Sequence, residues 1–220
     1  IELYPGNGLG LPEGNYTALL SHSGSRGLGA AIAQYFTGLA IDTCRLPKEA
    51  KNLAWLDLSS EAGQEYWMSM NLAGDYARAC HECIHDIMAK ELGVKVLARV
   101  ENHHNFAWKD RLADGKEVVI HRKGATPAHA GEAGIIPGSM TTAGYLVRGK
   151  GEPRSLFSAS HGAGRAQSRQ QARNSITVSE LKGRLNHAGV TLIGGSTEEA
   201  PAAYKDIEMV MKAQQSLVGI

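Results

Sequence analysis

Four short turns constrain this chain more than any bulk property. Residues 22–29, 121–125, 137–139 and 161–169 each carry glycine beside histidine, arginine, lysine or a polar hydroxyl. Such turns belong at strand ends or helix N-termini, where backbone N–H groups can approach phosphate oxygens without an intervening side chain. A chain that supplies four of them to one cleft needs several strands with helices packed on them. The expected class is therefore α+β, a mixed β-sheet core with packed helices, over a single domain spanning residues 1–220.

The segment Ser160-His161-Gly162-Ala163-Gly164-Arg165, followed by Ser168-Arg169, is the richest of the four. Its glycines let the backbone come close to a ligand, and His161 sits at the mouth of the loop. If the chain turns helical after Gly164, Arg165 and Arg169 share a face and can fork two phosphate oxygens. The competing reading is a glycine turn with a surface histidine and two solvated arginines. Neutral imidazole is nucleophilic near neutral pH, so a histidine in such a loop can attack phosphorus and hand the group onward.

Composition narrows the field without naming a partner. A net charge of +1 argues against a blanket electrostatic grip on nucleic acid, so any RNA contact has to come from a local basic patch. Cys44, Cys80 and Cys83 form an odd, sparse set that fits a reducing compartment, and the cytoplasm is expected. No apolar run reaches the roughly twenty residues of a membrane span.

Along the chain, Tyr16–Leu20 predicts a strand, Ser21–Gly27 a phosphate-type turn, and Leu28–Leu39 a helix, with His22 either facing the shared cavity or satisfied in a core. Ser59-Ser60-Glu61 caps a long helix reaching about Leu92. Its Cys80-His81-Glu82-Cys83 tempts a zinc or redox reading, but a single CxxC in a helix more often supplies two small buried residues. Val94–Val100 predicts a strand leading to His103-His104-Asn105, whose adjacent histidines point to opposite sides, so that only one faces a given site. Asp114-Gly115 signals a hairpin with Glu117–His121 returning, and Arg122-Lys123 reads as a phosphate-facing basic pair. Strands are expected at Ile135-Ile136, Tyr145–Arg148 and Val190–Ile193. Thr177–Glu180 has the spacing of a capping box for a helix over 178–187, and Pro201 is expected to open a terminal helix to about Leu217.

Taken together, these strings resemble the RtcB RNA-splicing ligases. The matching segments are His22-Ser23-Gly24-Ser25-Arg26-Gly27, His104-Asn105, Arg122-Lys123-Gly124-Ala125, Pro137-Gly138-Ser139-Met140, His161-Gly162-Ala163-Gly164-Arg165 with Ser168-Arg169, and Ala203-Tyr204-Lys205-Asp206-Ile207, in the family's order and spacing. The resemblance implies a ligase that joins RNA 3′-phosphate or 2′,3′-cyclic phosphate ends to 5′-hydroxyl ends, using GTP and two Mn2+ ions. It implies His161 as the nucleophile that carries GMP, and His22 and His104 as metal ligands. His104, Asn105, Pro137, Gly138, Ser139, Met140 and the His161, Gly162, Ala163, Gly164 loop are implied as guanylate contacts, and Arg26 and Arg169 as holders of RNA phosphates.

The departures are specific. The family's Asp and Cys metal ligands and its Gly-Asn-His segment lie ahead of the matched part, its closing Lys-Gly lies beyond, and Gly144 stands where members commonly have Ser. The expectation is accordingly a fragment of a longer chain. A catalytically inactive RNA- or nucleotide-binding segment is the alternative.

Overall fold

The computed structural model describes residues 1–112 and 114–220. It is α+β, and its chain divides into two compact units, Ile1–Leu97 and Ala98–Ile220.

In the first unit, β1 (Glu2–Leu3) pairs antiparallel with β2 (Gly14–Asn15), and two helices follow, α1 (Arg26–Thr43) and α2 (Glu61–Glu91). Ser60 caps α2 by accepting the Gly63 N–H, as its sequence predicts. The helices pack on one another. α1 buries Phe36 and Ala40, α2 buries Gly63, Ala73, Ala77 and Ala89, and the Phe36 ring lies 5.2 Å from Tyr66.

The second unit opens with an antiparallel hairpin of β3 (Asn105–Arg111) and β4 (Glu117–Lys123), in register from Asn105 opposite Lys123 to Arg111 opposite Glu117. Only Gly124 separates β4 from β5 (Ala125–Pro127). Next come β6 (Ala133–Ile136), β7 (Tyr145–Gly149) and β8 (Ser158–Ser160), then α3 (Arg169–Ser175), α4 (Val178–His187), α5 (Ile207–Ala213) and β9 (Val218–Gly219). β5 pairs with β8, and β6, β7 and β9 make a three-stranded antiparallel sheet. The main core gathers Ala128, Ile136, Val147, Ala159, Ala163, Ile207, Met211 and Val218, so strands β6, β7, β8 and β9 and helix α5 bury one another's apolar faces. Leu181, Leu185 and Ala200 form a second cluster, with Met140, Ile176 and Val190 packed against it.

Three predicted strands are not formed. Tyr16–Leu20, Val94–Val100 and Val190–Ile193 are irregular, and Val94, Val96 and Leu97 are exposed. Alternating apolar residues mark a segment that could pack on a sheet, but a ladder needs a partner strand, and none pairs with them among the described residues. The terminal helix is also interrupted. Pro201–Ala203 makes one 3-10 turn, Tyr204 is extended, and α5 starts only after Asp206, whose side chain accepts the Glu208 N–H. The chain is diverted there because Tyr204 bridges to Arg165, and the Ala166 and Gln167 N–H groups both donate to Ala203 O.

Candidate active site

The site in the second unit is built around Gly124. This residue has φ of 70°, a left-handed conformation that residues with a Cβ adopt at a cost, and it turns the chain from β4 into β5. Its N–H donates to His104 O at 2.9 Å, while its carbonyl accepts from His161 Nδ1 at 2.8 Å. One residue thus ties together the two histidine segments, and the His104 and His161 rings lie 4.9 Å apart.

The bond to Gly124 selects a tautomer. A carbonyl oxygen only accepts, so a neutral His161 carries its proton on Nδ1 and leaves the Nε2 lone pair open. Nε2 makes no hydrogen bond to any described residue. The other histidine of the pair, His103, lies 5.9 Å from Phe106 and 3.9 Å from Glu101. Asn105 heads β3 and stands opposite Lys123, so both side chains share one face of the hairpin.

The loop at 161–164 rests against the turn at 137–140. Ala163 N–H donates to Pro137 O at 3.0 Å, and the Ala163 side chain lies in the core. Of the expected row of ligand-facing N–H groups, Ala163 is therefore used internally, whereas those of Gly162 and Gly164 donate to no described residue. Behind His161, Gln214 accepts the Ser160 N–H at 2.9 Å, and Ser160 Oγ donates to Gly162 O at 2.7 Å. The adjoining turn is fastened by Thr142 Oγ1, which accepts the Ser139 N–H at 2.6 Å. Gly138 is needed for close approach, since a Cβ there would stand 2.3 Å from Ala143 O. Met140 packs against the second core cluster.

The arginines divide by role. α3 begins at Arg169 rather than after Gly164, because Ser168 caps it with a full capping box, so Arg165 and Arg169 do not share a helix face. The Arg165 guanidinium sits 5.2 Å from the Tyr204 ring centre and donates to Gln167 O at 3.0 Å and Glu198 O at 2.6 Å, which makes it a brace. Burial, with help from the Glu199 carboxylate, holds the Tyr204 phenol above its ordinary pKa. Arg169 stays largely exposed, 3.8 Å from Glu198 and 3.6 Å from Glu199. The basic pair at the end of β4 also splits, because successive strand residues face opposite sides: Lys123 is exposed and Arg122 is buried. Burial draws the Arg122 pKa below the ordinary arginine value, against the pull of Asp110 and Glu132.

In the first unit, His22 and Arg26 are exposed. Arg26 opens α1 with φ of 52°, and Ser25 makes no side-chain cap there. Cys80 is half-buried and Cys83 exposed, so the reading of two small buried residues does not hold. Among the described residues of either unit, no three His, Cys, Asp or Glu side chains are grouped so that they could hold a metal ion. No described helix is long and apolar enough to cross a membrane.

A family model described as tRNA-splicing ligase RtcB matches residues 6–220. Among curated proteins, the chain is 34% identical to RNA-splicing ligase RtcB1 of Escherichia coli, over 96% of this chain and 55% of that protein. It is 36% identical to tRNA-splicing ligase RtcB of Methanococcus maripaludis over 87% of this chain and 47% of that protein. To RNA-splicing ligase RtcB homolog 1 of Entamoeba histolytica it is 32% identical, over 94% and 46% respectively. The chain spans about half the length of the curated relatives it matches.

Proposed function

The chain belongs to the RtcB family, and from that premise we propose that it carries the nucleotidyl-transfer centre of a GTP- and Mn2+-dependent RNA ligase, with His161 as nucleophile. The observation that carries this reading is the Nδ1–H bond from His161 to Gly124 O, which presents Nε2 as a lone pair. In the first step Nε2 attacks the α-phosphorus of GTP. A P–N bond forms, the bond to the bridging oxygen breaks, and pyrophosphate leaves. The ring gains positive charge as this happens, so its bond to the Gly124 carbonyl becomes charge-assisted and stronger. An oxygen of the RNA 3′-phosphate then displaces His161 from GMP, and a 5′-hydroxyl attacks the activated phosphate to release GMP and seal the strand.

The Gly162 and Gly164 N–H groups are donors available to a nucleotide phosphate, and Asn105 and Lys123 flank the same strand end. Arg26 and Arg169 are exposed cations suited to RNA phosphates, contacts that carry no sequence information. Manganese would supply neutralisation of the triphosphate, with His104 the ligand that the second unit contributes. The cytoplasm is the compartment proposed, supported by the free thiols of Cys44, Cys80 and Cys83.

The test is incubation with α-labelled GTP and Mn2+, followed by denaturing electrophoresis. An acid-labile, alkali-stable label on the protein is expected, and it should be lost in His161→Ala. A label that survives that substitution removes His161 from the role. No label in the unmodified protein favours the inactive binding segment.

A further inference from the structure

The strand that leads into His161 is held at both ends by one short stretch of chain. At its far end, Gly124 accepts from the His161 ring. At its near end stands Arg122, two residues earlier, whose side chain is 1% exposed. Arg122 Nε donates to Ser158 Oγ at 2.8 Å, and Nη2 donates to Leu156 O at 3.0 Å and to Phe157 O at 3.4 Å. Ser158 is the first residue of β8, and His161 follows its last.

The carbonyls that Arg122 grips are unusual. Leu156 and Phe157 have φ of 53° and 52°, left-handed conformations that a Cβ disfavours and that persist only where the surroundings over-determine them. Other groups converge on the same place. The Arg122 guanidinium lies 4.8 Å from the Trp108 ring centre and 3.8 Å from Asp110. His129 bonds Asp110 at 2.8 Å and Glu132 at 3.0 Å, and its ring stacks on Phe157 at 4.9 Å. Yet Arg122 Nη1 has no hydrogen-bond partner. Packing alone is served as well or better by an apolar residue at such a position, so a buried, incompletely satisfied guanidinium calls for another reason.

We propose that Arg122 is a positioning residue for His161: by locking the Leu156–Phe157 turn it sets the register of β8, and with it the His161 to Gly124 bond that exposes Nε2. Its purpose rests on the nucleotidyl-transfer reading, but its geometry does not.

The test reads the His161 ring directly, in chain labelled with 15N-histidine, with the imidazole in its neutral form and His161 assigned from His161→Ala. The parent should show the Nδ1–H tautomer alone. Arg122→Met, and Arg122→Lys, which keeps the charge but loses the fork, should both admit the Nε2–H tautomer. Arg111→Met, on the exposed end of the same hairpin, should leave the ring unchanged. Labelling by α-labelled GTP in Arg122→Met should slow by about ten- to a hundredfold at saturating GTP, with half-saturation unmoved. A folded Arg122→Met that melts lower but keeps the single tautomer overturns the proposal. Should that variant fail to fold, Ser158→Ala decides, since it removes the Nε acceptor: a tautomer shift supports the role, and an unchanged ring refutes it. A parent that forms no guanylate adduct while its ring still responds to Arg122→Met would remove the nucleotidyl reading and leave the positioning role standing.

Discussion

At the scale of single residues, this site is governed by side chains whose partners are distant in sequence. Gln214 is 4% exposed and accepts the Ser160 N–H, one residue before the proposed nucleophile. Gln214→Leu keeps the bulk but leaves that N–H without an acceptor, an expected loss of about 1–3 kcal/mol. Denaturant melts of parent and variant check this; equal stability would show that the bond contributes nothing. His161 and Gly124 are legible as members of glycine-bracketed motifs, since their chemistry is intrinsic to residue type. Gln214 sits in an unremarked Gln-Gln pair, and no local signal marks it. Arg122 is visible but misleading: next to Lys123 it reads as half of a phosphate-facing pair, and only strand alternation turns one inward and the other out.

At the scale of elements, the starts of α2 and α4 are legible because capping is decided within four residues, whereas the starts of α3 and α5 fall elsewhere than their sequence suggests. Ser60, Ser168 and Thr177 cap α2, α3 and α4, and the latter two form full capping boxes. Thr177→Ala is expected to lower stability by about 1 kcal/mol in a thermal melt. The same box makes a pH prediction. The Thr177 N–H holds the Glu180 carboxyl below its usual pKa. A depressed carboxylate contributes stability above its unfolded pKa, about 4.3, and that contribution is lost as pH falls through the folded value. Melting temperature should therefore fall less steeply below about pH 4.5 in Glu180→Gln than in the parent, and parallel acid limbs would exclude the contribution. Strands are less legible. β4, β6 and β7 are found where strands are expected, whereas 16–20, 94–100 and 190–193 form no strand, and of these Tyr16 alone exchanges a pair of backbone bonds, with Ile1.

At the scale of the whole molecule, the two units differ in how their apolar residues are used. The second gathers buried apolar side chains, Ile136, Ile207, Leu181 and Leu185 among them, in two clusters, while α2 in the first leaves Leu72 64% and Ile87 61% exposed and buries mainly alanines. Tyr76 and Met88 of the same helix are exposed as well. Every described hydrogen bond of His161, and the Arg122 cluster behind it, lies within residues 98–220. Those residues expressed alone should melt cooperatively and keep the His161 tautomer of the longer chain. A non-cooperative melt, or a mixed tautomer, would show that the site geometry depends on residues 1–97.

The amino-acid sequence by itself determined the α+β class, the order of the glycine-bracketed motifs, the caps of α2 and α4, and the family. Each of these depends on residue type and near-neighbour spacing, which folding does not alter. Tertiary structure decided which polar groups serve the site and which serve the scaffold. Arg165 became a brace on Tyr204, Arg122 was drawn under β8 by acceptors 34 to 36 residues away, and the terminal helix was broken by a bridge back to residue 165. Pairings over such separations are settled by what else must be buried at the same time, and local pattern carries no record of that competition.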